Sequence, residues 1–199
     1  MRRSQEAAAK TRARIVEEAS RLFRARGIDA TSIADVMSSA GLTVGGFYRH
    51  FESKEALIAE AIDAASRETS DRHVVSAASE NEHDLLSLLN SYLSDAHRKH
   101  PGQGCPVAAL CSEVAHGSKA TKRAFTVALE RLLTGMGAAG RGSLNADRTS
   151  ALFAASAAVG ALVLARATHD ESLARELLSA ARARLVAPSG PSPGARRPP

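Results

Sequence analysis

Large aromatic side chains are scarce: they make up 4 % of the 199 residues, and tryptophan is absent. Alanine is abundant instead, which favours closely packed helices over sheets. Two cysteines cannot make a disulfide framework in a chain of this length. The N-terminus, MRRSQEAAAKTRAR, lacks the apolar stretch that follows the charges of a secretory signal. The longest apolar run, Ala151 to Ala165, is broken by Ser156 and Gly160 and is short for a bilayer. No P-loop, Rossmann glycine set, nucleophile elbow or pair of catalytic carboxylates can be recognised. These absences point to a cytoplasmic chain with no membrane segment, no cofactor and no enzymatic activity.

What is present suits a folded, helical protein. Apolar residues make up 44 % of the sequence, enough to bury a real core. The formal net charge of +5 is unevenly spread. Residues 1–54 carry ten Lys and Arg against six Asp and Glu, whereas residues 55–199 carry sixteen against fifteen. A positive excess gathered at one end is what phosphate binding needs, although a merely solvated basic surface would look the same by charge alone.

That basic end contains the most informative stretch, TSIADVMSSAGLTVGGFYRHFESK, from Thr31 to Lys54. Ser32 and Asp35 have the spacing of a capping box at a helix start. Ile33, Val36, Met37 and Ala40 then lie on one face of a short helix. Gly41 can end that helix in a left-handed conformation. Leu42 anchors the turn, and Thr43 is placed to cap a second helix running from Val44 to about His50. Two short helices around a glycine turn are a helix-turn-helix, whose second helix enters the DNA major groove.

With those residues in view, the string IADVMSSAGLTVGGFYRHFESKEAL resembles the DNA-binding segment of the TetR/AcrR family of bacterial one-component repressors. Gly41, Phe47–Tyr48, His50–Phe51 and Ser53–Lys54–Glu55 carry the resemblance, which covers residues 11 to 60. It implies an all-α homodimer with an N-terminal helix-turn-helix domain and a helical ligand-binding and dimerisation domain, about nine helices in all. Tyr48, His50 and Lys54 match family positions that hold phosphates. Arg49 is placed either to bond guanine O6 and N7 together or to take one more phosphate. Thr43 and Val44 could meet a thymine methyl or a phosphate. Ser32, Gly45 and Gly46 complete the expected DNA-facing set, although many members carry larger or polar residues where this chain has Gly45–Gly46. Phe47 and Phe51 are expected in the core.

The remaining sequence divides at Lys54, with residues 1–54 as the DNA-binding domain, 55–187 as the second domain and a Pro/Gly-rich tail, 188–199, expected to be disordered. Residues 1 to about 10 read as a basic arm (Arg2, Arg3, Lys10). The first helix follows, with Ile15, Ala19, Leu22 and Phe23 in one stripe and Gly27 at its end. Lys10, Arg12 and Arg14 either touch the DNA backbone or form an exposed, ion-paired face. A long connector helix is expected from Glu55 to about Ser79, and another helix from Asp84 to His100. Pro101–Gly104 signals a turn, Pro106 opens a helix to Gly117, and another spans Lys119 to Gly135. Gly135–Gly142 reads as a loop or a frayed helix end. Asp147–Thr168 is apolar nearly all round, which predicts burial on most sides, and Asp170–Val186 forms the last helix. These last two helices are expected to pair with a second copy.

In the second domain, Leu88, Tyr92, Cys105, Leu110, Cys111, Phe125 and Leu129 are the residues expected to line a cavity for a small-molecule inducer, although each alone is ordinary core. Cys105 precedes Pro106 at a helix N-terminus, where backbone N–H groups and the helix dipole favour a thiolate. It is therefore either an electrophile or oxidant sensor, or a small buried residue beside a turn. Cys111 lies about 240° further round the helix, which places it out of bridging reach. His97 and His100 are read as surface histidines, because no Cys or carboxylate stands at a zinc-site spacing and no metal is expected. The expected function is a ligand-responsive repressor on a pseudo-palindromic double-stranded operator, with sensing through Cys105 as the alternative.

Overall fold

A computed structural model describes residues 2–78, 85–139 and 147–186, with side chains from residue 5 to 71 and throughout the two later stretches. The tail and residues 140–146 lie outside the described residues, so neither the expected disorder of 188–199 nor the end of the glycine-rich segment can be followed. The described residues hold nine α-helices and two short 3-10 turns.

Helix α1 spans Arg2–Arg26. The expected basic arm is therefore helical from its second residue, because Glu6–Ala7–Ala8–Ala9–Lys10 are strong helix formers. Ile15, Ala19, Leu22 and Phe23 are buried as the stripe predicts. Gly27 ends the helix at φ +92°, a conformation that favours glycine. Helix α2, Ile33–Ser39, opens with the expected capping box. It ends at Gly41, φ +66°, where the Leu42 N–H returns to the Met37 carbonyl at 2.8 Å in a Schellman-type closure. A 3-10 turn, Val44–Arg49, stands in place of the expected second α-helix.

Helix α3, Lys54–Ala78, is the connector and packs along α1 and, most extensively, along a later helix, α7. The single helix expected over 84–100 is two: α4, Leu85–Tyr92, and α5, Asp95–Lys99. Ser94 breaks it by adopting an extended backbone and accepting the His97 N–H at 3.1 Å, a local bond that competes with continued helix. A 3-10 turn, Pro101–Gln103, leads to α6, Pro106–His116. Helix α7 runs from Lys119 to Ala139, through Gly135 and Gly137, instead of stopping at the first glycine. Burial of Met136 and Ala139 on the core offsets the roughly 1 kcal/mol that each helical glycine costs.

Helices α8, Arg148–Ala167, and α9, Glu171–Val186, pack as a pair. α8 is 20 residues long and contains an 18-residue stretch of mean hydropathy 1.7, which meets the length and composition of a membrane span, as the core helix of a globular fold also does. Here its alanines 154, 155, 158 and 165 are buried against the helical core. Burial on most sides does not hold within one chain: Phe153 is 68 % exposed and Leu164 56 % exposed. The buried side chains form one continuous cluster from Ile15 to Leu185.

Candidate DNA interface and the pocket behind it

The segment Val44–Arg49 sits on a small aromatic core. Phe47 is fully buried, meets Phe51 in a stack at 5.5 Å and Tyr48 edge-on at 5.1 Å. Anchoring Phe47 inward drives its neighbours out. Tyr48 is 70 % exposed, Val44 is 48 % exposed, and Thr43, Gly45 and Arg49 are open to solvent. Two local facts explain the 3-10 geometry. Thr43 enters with an extended backbone, but its side chain makes no capping bond. Gly45 and Gly46 together weaken an α-helix only six residues long. Neither glycine has a positive φ, and a Cβ at Gly46 would approach nothing closer than Met37 Cε at 3.7 Å.

Other residues expected at the DNA are held by the fold. Ser32 uses its hydroxyl within the capping box, accepting the Asp35 N–H at 3.1 Å and bonding the Asp35 carboxylate. That contact holds the Asp35 carboxyl below its ordinary range, with the Ser32 hydroxyl as the largest cause. Lys54 Nζ donates to the Ile28 carbonyl at 2.8 Å. His50 is half-buried, and its carbonyl accepts Arg12 Nε at 3.3 Å. Arg12 also lies 4.5 Å over the Phe51 ring and pairs with Glu60 of α3. It belongs to the ion-paired reading of α1, clamping three elements together. Glu60 lies 48 residues away in the chain, so nothing in the sequence announces the clamp.

Behind this surface, α1 is tied to the second domain by two contacts that sequence reasoning missed. Glu113 of α6 accepts the Ile28 and Asp29 N–H groups, each at 3.0 Å. The buried Arg24 donates to the Gly104 carbonyl at 2.8 Å and to Glu68 of α3 at 2.7 Å. The first explains Gly27, whereas Gly102 is confined by α1 itself. A Cβ at Gly27 would stand 2.9 Å from the Glu113 carboxylate, and one at Gly102 would stand 3.2 Å from Ala25 and the Arg21 carbonyl.

Of the expected pocket residues, the structure brings Tyr92 to Cys105 and Cys111. Cys105 is buried at the N-cap of α6, as anticipated, and both cysteines are free thiols. The Cys105 N–H donates to His97 Nε2 at 2.9 Å, while His97 Nδ1 meets the Tyr92 carbonyl at 2.6 Å. His97 is thus a neutral, half-buried bracket in the Nδ1–H form, not a surface histidine. Its ring packs edge-on against Tyr92 at 4.9 Å. A cleft of about 230 Å³ opens here, with Thr69, Ser91, Ser94, His97, Gly104 and Cys105 in its wall. Of the seven residues expected to line a cavity, Cys105 alone is in that wall: Tyr92 and Leu110 are buried in the core, Cys111 is half-buried, and Leu88, Phe125 and Leu129 pack half-buried against the core. Periodicity places such leucines on an inner face but does not say whether that face meets a cavity or another helix.

Residues 15–61, from α1 through the recognition segment into α3, match the family model described as "Bacterial regulatory proteins, tetR family". This segment is of the tetR family. It is 39 % identical over 93 residues to the transcriptional regulator TtgR of Pseudomonas putida, covering 47 % of this chain and 44 % of that protein. With the transcriptional repressor KstR2 of Rhodococcus jostii it shares 39 % identity over 49 residues, 25 % of this chain and 24 % of the other. The matched region therefore spans less than half the length of these curated relatives. A TetR transcriptional regulator of Chloroflexus aurantiacus, 28 % identical, superposes with a TM-score of 0.70 over 94 % of this chain and 95 % of that one. The helices beyond the matched segment thus follow the architecture of that regulator.

Proposed function

We propose that the chain is a cytoplasmic, homodimeric repressor that binds a pseudo-palindromic operator through Val44–Arg49 and is released by a small-molecule inducer. Tyr48 and Arg49 project from the anchored Phe47, with Tyr48, His50 and Lys54 placing the backbone and Arg49 reading a base. Ser32, Thr43, Val44, Gly45 and Gly46 form the rest of that face. The exposed apolar side chains of α8 and α9, Leu152, Phe153, Leu164 and Leu173, supply a face for a second copy. Residues 1–54 act as the DNA-binding domain and 55–187 as the inducer and dimer domain.

The observation that carries the inducer reading is the position of the cleft. Gly104, in its wall, holds Arg24 of α1, and α6, which starts at Cys105, holds the end of α1 through Glu113. An occupant that shifts the 104–106 turn must move α1 or break these bonds. This couples the two domains through a change in their relative populations. The test is retention of the promoter DNA beside the chain's own gene by wild-type protein and by Tyr48→Ala and Arg49→Ala. Loss of retention in both variants, with unchanged folding by circular dichroism, supports the reading. Retention unaffected by either variant excludes this surface as the contact.

A second reading has its own observation, a free Cys105 thiol in the cleft wall. In it, an electrophile or oxidant modifies Cys105 and releases the DNA without a bound inducer. Cys105→Ser separates the two. Unchanged release by electrophiles in that variant rules out cysteine sensing.

A further inference from the structure

Behind the cleft, two polar groups are buried without a protein partner. The Tyr92 side chain is 1 % exposed, and its hydroxyl lies beside the Cys105 thiol but makes no well-aligned hydrogen bond among the described residues. Nη1 of Arg166 is likewise buried and unpartnered. Native interiors rarely leave such atoms unsatisfied, and each is a reason to look for a binding role. The other donors of Arg166 are committed: Nε to the Arg98 carbonyl at 3.3 Å and Nη2 to the His97 carbonyl at 2.7 Å. Those two bonds fix the plane of the guanidinium and the aim of Nη1. His97, edge-on to Tyr92 and bonded to its carbonyl, fixes the phenol in the same way.

The charge at this place is also uncompensated. Arg98, next in the chain to His97 of the cleft wall, is paired with both Asp95 and Glu171. Arg166 has no carboxylate partner among the described residues, and burial lowers its affinity for the proton without discharging it at neutral pH. Burial pushes the Tyr92 phenol well above its ordinary range, so it stays protonated and acts as a donor. The Cys105 sulfur lies close enough to influence both groups and belongs to the cleft wall. The guanidinium lies behind the cleft wall next to Gly104, where an added Cβ would stand 3.1 Å from Arg166 Nη2.

We propose that Tyr92, Arg166 and Cys105 form a donor-lined subsite for the anionic oxygen of a small ligand, a carboxylate or phenolate whose body occupies the 230 Å³ cleft. The chemistry is one-sided. A phenol O–H and a guanidinium N–H lie buried behind a wall thiol, while the nearby Tyr92 and Gly104 carbonyls are already bonded to His97 and Arg24. An anion there satisfies two orphaned donors and pairs a buried cation, which neutral or cationic ligands cannot do. The volume sets the size. A dry cavity of about 150 Å³ admits benzene, so this one suits a single substituted ring or a short chain.

This assignment rests on reading the second domain as the inducer domain, and the test separates the two. Full-length protein is titrated calorimetrically with acetate, benzoate, salicylate and 4-hydroxybenzoate, each beside its neutral amide. At least one acid should bind tenfold or more tighter than its amide. Tyr92→Phe and Arg166→Gln should each weaken that acid about tenfold while leaving the amide unchanged. Absence of any acid-over-amide preference across the panel, or a preference that survives both variants, overturns the subsite. Promoter retention is followed in the same samples. Binding of the acid with the predicted dependence but without DNA release leaves the subsite standing and removes the inducer reading. Release by a compound whose binding ignores both variants does the reverse.

Discussion

At the scale of single residues, Gly27 does two things that no other side chain can. It turns the chain at φ +92° and leaves room for the Glu113 carboxylate, which an added Cβ would meet at 2.9 Å. Gly27→Ala should therefore destabilise the protein by about 1–2 kcal/mol in urea unfolding, from backbone strain alone. Gly46 is the opposite case, with ordinary φ and free space. Gly46→Ala should raise stability by about 0.5–1 kcal/mol, and a loss of similar size would mean that the recognition segment requires the glycine. Ser32 and Asp35 give a pH signature. The Ser32 hydroxyl, as the largest cause, holds the Asp35 carboxyl low, and Ser39 followed by Arg21 does the same for Glu18. Depressed carboxyls stabilise the fold above their unfolded values, about 3.9 for Asp and 4.3 for Glu, and that contribution fades as pH falls through the lower native values. The helix-turn-helix should begin to melt from about pH 4 downward. Ser32→Ala should remove the Asp35 part of that slope and, as a lost cap, cost about 1 kcal/mol at neutral pH.

At the scale of elements, the tie between α6 and the end of α1 is the feature to break. Glu113→Ala leaves two backbone N–H groups at residues 28 and 29 without their acceptor, at a cost on the order of 1–2 kcal/mol. In a reporter assay the variant should still repress but respond less to inducer, whereas undiminished induction would show that the tie carries no coupling. The capping box, the Gly41 turn, the α1 stripe and the start of α6 were all legible in the sequence, because each is a local pattern with a local cause. The recognition segment was not. Its glycines were noticed as a departure, but their effect on helix type depends on how little helix surrounds them. The break at Ser94 and the passage of α7 through Gly135 and Gly137 were missed for a related reason. Whether a serine caps or a glycine stops a helix is decided by what the next turn buries, here Met136 and Ala139. Arg12, Glu113 and Arg166 were invisible as functional residues, because their partners come from distant parts of the chain.

At the scale of the whole molecule, one continuous core links the proposed DNA-facing surface to the cleft, and Leu152, Phe153 and Leu164 of α8 with Leu173 of α9 are left exposed outside it. In the proposed dimer, Phe153, 68 % exposed, and Leu164, 56 % exposed, are where a second copy would gain most by docking. Phe153→Glu should yield a folded monomer by sedimentation and weaken DNA binding at least tenfold, because each subunit then contacts a single half-site. The central claim is that two copies place two recognition segments on one face of the duplex. Hydroxyl-radical footprinting of the promoter DNA tests it most directly. Two protected patches related by a dyad and spaced about one helical turn, ~34 Å, apart are predicted, with both lost in Phe153→Glu. A single patch, or a pair unchanged in the monomeric variant, would contradict it.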